Sequence, residues 1–170
     1  LVSGLTVISG GLFDGNAGTV DFNSDFSITG GTFDGNSSVV SLVGNFSQSG
    51  GTFNSPTGVF TVEGSSFSRT AGTFNHNGGT VVINSTISGQ TVTMSGTITF
   101  NVLEITAGAG TNSNRILNFN AGLTTATLNL NASAKLFSYQ GNISITSALL
   151  INGTSTGNPN ASNTGVFTLS

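Results

Sequence analysis

The chain has 170 residues, 36% hydrophobic and only 5% charged, with a formal net charge of −3 and no cysteine. An average soluble domain is about 25% charged, so this one keeps its solubility through Ser, Thr, Asn and Gly. Its three basic residues, Arg69, Arg115 and Lys135, are too few for a phosphate-binding patch. The lack of Cys excludes a disulfide framework and a thiolate metal site.

No run of 18 apolar residues exists, so no transmembrane helix is expected. Thirteen Phe and a positive mean hydropathy argue against a disordered, prion-like segment. The absence of Trp and the single Tyr argue against an outer-membrane barrel, which carries aromatic girdles. No signal peptide is visible. The chain opens on Leu1, as a processed form or an excised piece would.

Along the chain a period emerges first. Gly10-Gly11-Leu12-Phe13 is echoed by Gly30-Gly31-Thr32-Phe33, Gly50-Gly51-Thr52-Phe53 and Ala71-Gly72-Thr73-Phe74. The first two intervals are equal, and the third is longer by a single position. Phe26, Phe46 and Phe67 keep step, each followed by Ser. So do Phe22, Leu42, Val62 and Ile83, and, two residues earlier, Val20, Val40, Phe60 and Val81. Residues two apart face the same way on a strand. β-branched and aromatic content between the corners favours strands. Helix is unfavourable, because apolar residues alternate and Gly interrupts about every ten residues.

Asp34-Gly35-Asn36 and Asn75-His76-Asn77-Gly78 read as turns in which Gly and Asn take positive φ. Gly30-Gly31 and Gly50-Gly51 read as a second corner. A single period cannot bury its own apolar face, but stacked periods can. The sequence therefore predicts an all-β fold, a single parallel β-helix (β-solenoid) of about 20 residues per coil. Phe13, Phe33, Phe53 and Phe74 form one buried stack in it, and Phe26, Phe46 and Phe67 another. The rival is an antiparallel β-sandwich, which also suits short strands with frequent turns.

Beyond Thr86 the period loosens. Gly96-Thr97-Ile98-Thr99-Phe100 echoes Gly79-Thr80-Val81-Val82-Ile83, and Leu117-Asn118-Phe119 follows Ile98-Thr99-Phe100. Both echoes come at shorter intervals than those of the first half. Residues 153–165 are a loop by composition. The closing Thr164-Gly165-Val166-Phe167-Thr168-Leu169 copies Thr57-Gly58-Val59-Phe60-Thr61-Val62. The expected organisation is one solenoid domain over 1–170. Regular coils span 1–86 and irregular coils 87–152. A loop and terminal strand, 153–170, are available for exchange with a neighbouring subunit.

The pattern of Phe46–Gly64, "FSQSGGTFNSPTGVFTVEG", resembles repeats of secreted bacterial parallel β-helix surface proteins, the filamentous-haemagglutinin and autotransporter-passenger kind of adhesin. The resemblance implies export, a surface location and a right-handed coil. It covers residues 1–86 well and the rest loosely. It touches only core and corner positions, so no functional residue is carried over from it.

Chemistry-bearing residues are sparse. The acids are Asp14, Asp21, Asp25, Asp34, Glu63 and Glu104. Asp14 and Asp34 share a column, and such a pair could serve acid/base work on a glycan or hold Ca²⁺. Their replacement by Asn54 and Asn75 in the next coils favours a turn residue used repeatedly. His76, the single His, reads as an exposed turn residue. Asn-x-Ser/Thr sequons at Asn36, Asn45, Asn84, Asn131, Asn142, Asn152 and Asn160 are about as many as chance supplies, roughly six. Thr91-Val92-Thr93 and Thr97-Ile98-Thr99 have the form of an ice-binding row, but do not recur at coil spacing.

No catalytic, cofactor-binding or metal-binding residue is therefore expected, and no cofactor. Nor is any amphipathic capping helix or charged cap visible over Leu1–Gly11. The expectation is a non-enzymatic, extracellular or cell-surface structural protein. Its expected partners are copies of itself in a head-to-tail homopolymer, with no nucleic acid and no membrane span. The alternative is an adhesin segment binding a glycan or host protein, with Lys135 and Tyr139 as the place to look.

Overall fold

A computed structural model describes residues 1–84, 91–106, 116–119, 122–130, 136–139, 142–151 and 167–169. Described strand pairs are all parallel, and the coils, about 21 residues apart, build a β-solenoid of about five turns. The antiparallel sandwich is thereby excluded.

Each early coil has three strand segments, here called first, second and third. The first coil contributes β1 (Thr6–Ile8), β2 (Leu12–Asp14) and β3 (Thr19–Phe22), and the next β4 (Phe26–Ile28), β5 (Thr32–Asp34) and β6 (Val39–Leu42). In the third coil the first two segments run on as β7 (Phe46–Asn54), followed by β8 (Val59–Val62). The fourth repeats this with β9 (Ser66–Asn75) and β10 (Thr80–Ile83).

Later coils divide differently. β11 (Thr91–Ser95), β13 (Ile116–Phe119) and β15 (Leu136–Tyr139) continue the first segment. β12 (Ile98–Ile105), β14 (Leu123–Leu130) and β16 (Ile143–Ile151) carry the third segment at their C-terminal ends. β17 (Phe167–Leu169) lies on Ile143–Ile145 of β16 in the same chain. One sheet runs β1-β4-β7-β9-β11-β13-β15, with β2 and β5 leading into β7. The other runs β17-β16-β14-β12-β10-β8-β6-β3.

The aromatic columns stand as the periodicity predicts. Phe13 pairs in register with Phe33, Phe33 with Phe53 and Phe53 with Phe74. Their ring centroids are 5.5, 5.0 and 5.2 Å apart, with stacked planes. Phe26, Phe46 and Phe67 form the second column, tilted rather than parallel, at 6.0 and 4.5 Å. Met94 succeeds Phe67 in register. Val20, Val40, Phe60 and Val81 line the third segment, and Leu103 and Leu128 extend that row. The longer interval between Phe53 and Phe74 has a visible cause. Gln48 pairs with Arg69 and Ser49 with Ala71, so Thr70 is an added residue.

The register after Thr86 is not the one expected from the echoes. Thr80–Ile83 pair with Val102–Ile105, not with residues 97–100. Val92–Met94, not Ile98–Phe100, lie under Leu117–Phe119. Ile98–Phe100 pair onward with Leu123–Thr125. Strict alternation satisfies any even shift of a strand, so similarity of short segments could not select among registers. Phe167–Leu169 likewise sits on the segment before the third, although its sequence copies a third-segment strand.

Turn chemistry follows expectation with one exchange. Asn16, Asn36 and Asn77 hold φ of 52°, 45° and 48°, and Gly78 holds 74°. Gly35 does not take positive φ. A Cβ there would stand 2.5 Å from the Pro56 nitrogen of the next coil, so close approach is what requires glycine.

One interior column changes character. Ile8 and Ile28 are followed by Gln48 and Arg69. Gln48 is fully buried, and its Nε2 donates to the carbonyls of Thr73 at 2.9 Å, Gly50 at 3.3 Å and Gly51 at 3.4 Å. Arg69 donates to the carbonyls of Gly72 and, at 2.8 Å, Thr97. Corner carbonyls facing inward need donors, and these two side chains supply them. Gln48→Leu is therefore expected to destabilise the fold by about 1–3 kcal/mol, although leucine matches Ile8 and Ile28 better. Guanidinium unfolding checks this; a variant as stable as the parent would show that the carbonyls need no donor.

Candidate functional site

The exterior of the second segment carries the acidic pair. Asp14 and Asp34 stand in register, followed by Asn54 and Asn75. Asp14 Oδ1 accepts from the Asn16 backbone N–H at 2.9 Å and from Asn36 Nδ2 at 2.7 Å. Asp34 Oδ1 accepts from the Asn36 N–H at 3.3 Å, and Asn75 Nδ2 donates to Asn54 Oδ1 at 2.8 Å. The strand-to-turn geometry thus directs both carboxylates into closing their own turns, and Asp14 also ties down the Asn36 turn of the next coil. Among the described residues no group of three or more His, Asp or Glu could hold a metal ion.

His76 is half-buried rather than exposed, because it folds back onto its own turn. Its Nδ1 accepts from the Gly78 N–H at 3.0 Å, which leaves Nε2 to carry the ring proton in the neutral state. Of the sequon residues, Asn36 is exposed with its amide engaged in the Asp14 bond, and Asn45 and Asn84 are half-buried. Asn142 is exposed. Asn131, Asn152 and Asn160, like Arg115 and Lys135, lie outside the described residues. Tyr139 pairs through its backbone with Phe119 at the end of β15.

Two outward hydroxyl columns escaped the sequence reading. Ser27, Ser47, Ser68 and Ser95 run in register on the first segment. Ser47 Oγ donates to Ser27 Oγ at 3.0 Å and Ser95 Oγ to Ser68 Oγ at 2.8 Å. Thr32, Thr52 and Thr73 run in register on the second. The signal was present in the repeat itself, as the Ser after each first-segment Phe and the Thr before each second-segment Phe. Thr99 also heads an outward column, with Thr124 and Ser144, so one of the Thr-x-Thr residues does recur across coils.

The coil ends differ from the barrel of the solenoid. Among the described residues β1, β2 and β3 each have a strand neighbour on one side only, save for a bridge from Val2 to Phe22. At the opposite end β15 and β17 are the outermost described strands of their sheets. Exposed leucines include Leu1, Leu5 and Leu12 in the first coil and Leu150 on β16. Leu12 is 65% exposed and occupies the column that holds Thr32, Thr52 and Thr73 further on. Val7 likewise replaces the serine of its column. Leu150 succeeds Glu104 and Asn129 in a column that begins at Asp21. Val39, Val43 and Val59 are exposed in the middle coils and Val82 stands within the column of Asp21, so the changes at Val7, Leu12 and Leu150 are particular to their columns.

Fold and surface together define a parallel β-solenoid with hydroxyl and Asp/Asn ladders on its flanks. No protein-family model matches the chain, and neither curated proteins nor solved structures give a match.

Proposed function

We propose that the chain is a non-enzymatic structural protein of the cell surface or extracellular space. In this reading it is a building block of a filament or stalk, assembled head to tail through open solenoid ends or by exchange of the C-terminal strand. The observation that supports it is that, among the described residues, the outermost strands at both ends have one neighbour only and exposed leucines stand near them. Unpaired parallel edges bind complementary strands unless they are covered. A head-to-tail contact that does not close on itself produces a filament. Low charge leaves little repulsion to oppose stacking. The resemblance to secreted bacterial β-helix surface proteins points the same way and motivates the extracellular assignment. β17 already lies on β16 of its own chain, which favours direct end-to-end stacking over exchange.

The expected outcome is concentration-dependent assembly of the purified chain. Unbranched filaments about one solenoid wide should be visible by electron microscopy, with a matching rise in sedimentation coefficient. A chain that remains monomeric at high concentration with intact termini would refute the proposal.

A further inference from the structure

The two ends carry matching columns, and they specify a register for the contact. Val2 bridges to Phe22, with the Val2 N–H donating to the Asp21 carbonyl at 2.7 Å and the Asn23 N–H donating to the Val2 carbonyl at 2.9 Å. Val2 therefore lies beneath the inward column of Phe22, Leu42 and Val62. Leu1, one residue earlier, belongs to the outward column of Asp21 and Ser41, and is 85% exposed. At the other end that column finishes in Leu150, 47% exposed. Leu1 and Leu150 are thus the first and last described members of one outward row.

We infer that a second copy of this chain docks in straight continuation, so that Leu150 of one copy and Leu1 of the next become neighbours in that row. This rests on the filament reading and adds the register. Parallel strands repeat at about 4.8 Å, so a partner that continues the solenoid brings the two leucines into direct contact and removes both from water. β17 at one end and β2 at the other are both outermost described strands, so the same continuation brings both to the junction. It also brings the exposed Leu12 of the next copy close to the junction. A second copy suits this surface because it presents the same strand spacing and cross-section, together with an uncharged leucine at the required position.

The chain has no cysteine, which makes the register directly testable. Leu1→Cys and Leu150→Cys variants, each exposed at the substituted site, are prepared separately. Neighbouring Cα atoms in a parallel ladder lie inside the separation that a disulfide spans. Mild oxidation of the equimolar mixture should give a disulfide-linked dimer at least about tenfold more abundant than either variant gives alone. The double variant should give a ladder of covalent oligomers. Filaments of the parent chain without the mixed disulfide, or with single-variant dimers equally abundant, would overturn the register and leave the filament reading standing. A parent chain that never assembles would overturn both. As a second arm, Leu150→Asn installs the residue that Asn129 supplies one coil below. It should raise the concentration needed for filaments about tenfold, with the circular dichroism unchanged; an unaltered threshold counts against the inference.

Discussion

Phe53→Ala is expected to destabilise the solenoid by about 3–5 kcal/mol, the range for removing a fully buried phenylalanine. Phe53 has no exposed surface and sits at the centre of the aromatic interior. Its ring stacks on Phe33 at 5.0 Å and Phe74 at 5.2 Å. It also meets Phe46 edge-on at 5.0 Å and Phe60 at 5.1 Å. Alanine would strip contacts from the coil above and the coil below at once. In a quasi-one-dimensional stack those two interfaces carry most of a coil's stability. With domains stable by about 5–15 kcal/mol, the variant should unfold at much lower guanidinium concentration. Phe13→Ala, at the half-buried end of the same column, should cost distinctly less. Equal losses at both sites would contradict a stack whose burial rises from its end inward.

The second large effect concerns the glycine corner, and a paired comparison isolates its cause. Gly51 holds φ at 59°, and a Cβ there would lie 2.5 Å from the Gly31 carbonyl oxygen and 2.6 Å from that of Gly30. Gly11 holds φ at 70° at the equivalent corner of the first coil, with nothing within 4 Å of its Cβ position. Gly11→Ala should therefore incur only the left-handed penalty of about 1–2 kcal/mol. Gly51→Ala adds overpacking against backbone that cannot rotate away, for a total of about 2–5 kcal/mol. Thermal unfolding of the two variants gives the difference, which measures how tightly one coil seats on another. Equal effects would mean that backbone conformation alone requires the glycine.

Much of the first half of the fold was legible because a stacked coil must solve the same problem at each lap. The corner needs glycine, the interior needs a ring, and the lap length sets the interval, so Gly-Gly-Thr-Phe returns on schedule. Phe13, Phe33, Phe53 and Phe74 could be placed together for that reason. The second half was not legible in register. Ile98-Thr99-Phe100 alternates like Val81-Val82-Ile83, yet Val81 pairs with Leu103. Alternation names the inward face of a strand but not its neighbour. Lap lengths there also grow. The step from Val81 to Leu103 exceeds that from Val40 to Phe60, and the step from Leu103 to Leu128 is longer still.

The exterior was partly hidden for a different reason. Asp14 and Asp34 were correctly placed in one column, but their use as turn acceptors depends on Asn16 and Asn36 standing at positive φ. Gln48, between Ser47 and Ser49, and Arg69, between Ser68 and Thr70, carry no mark of an interior role in the sequence. Their role emerges only once the corner carbonyls of Gly50, Gly51 and Gly72 are seen to face inward. Leu12, like Ala71, was visible as a departure from Gly-Gly-Thr-Phe, and it acquires meaning only as an exposed side chain on an outermost coil.

The order of the residues alone favoured a stack of β coils with a phenylalanine interior, and the parallel strand pairing excluded the rival sandwich. Periodic identity at strand spacing has few other ways to bury its apolar side chains. Which strands adjoin after Thr86, and which polar side chains serve the interior, emerged only from the folded arrangement. So did the placing of Leu1 and Leu150 at opposite ends of a single row. Those outcomes depend on lap length and on backbone groups brought close across coils, and neither is written in the local order of residues.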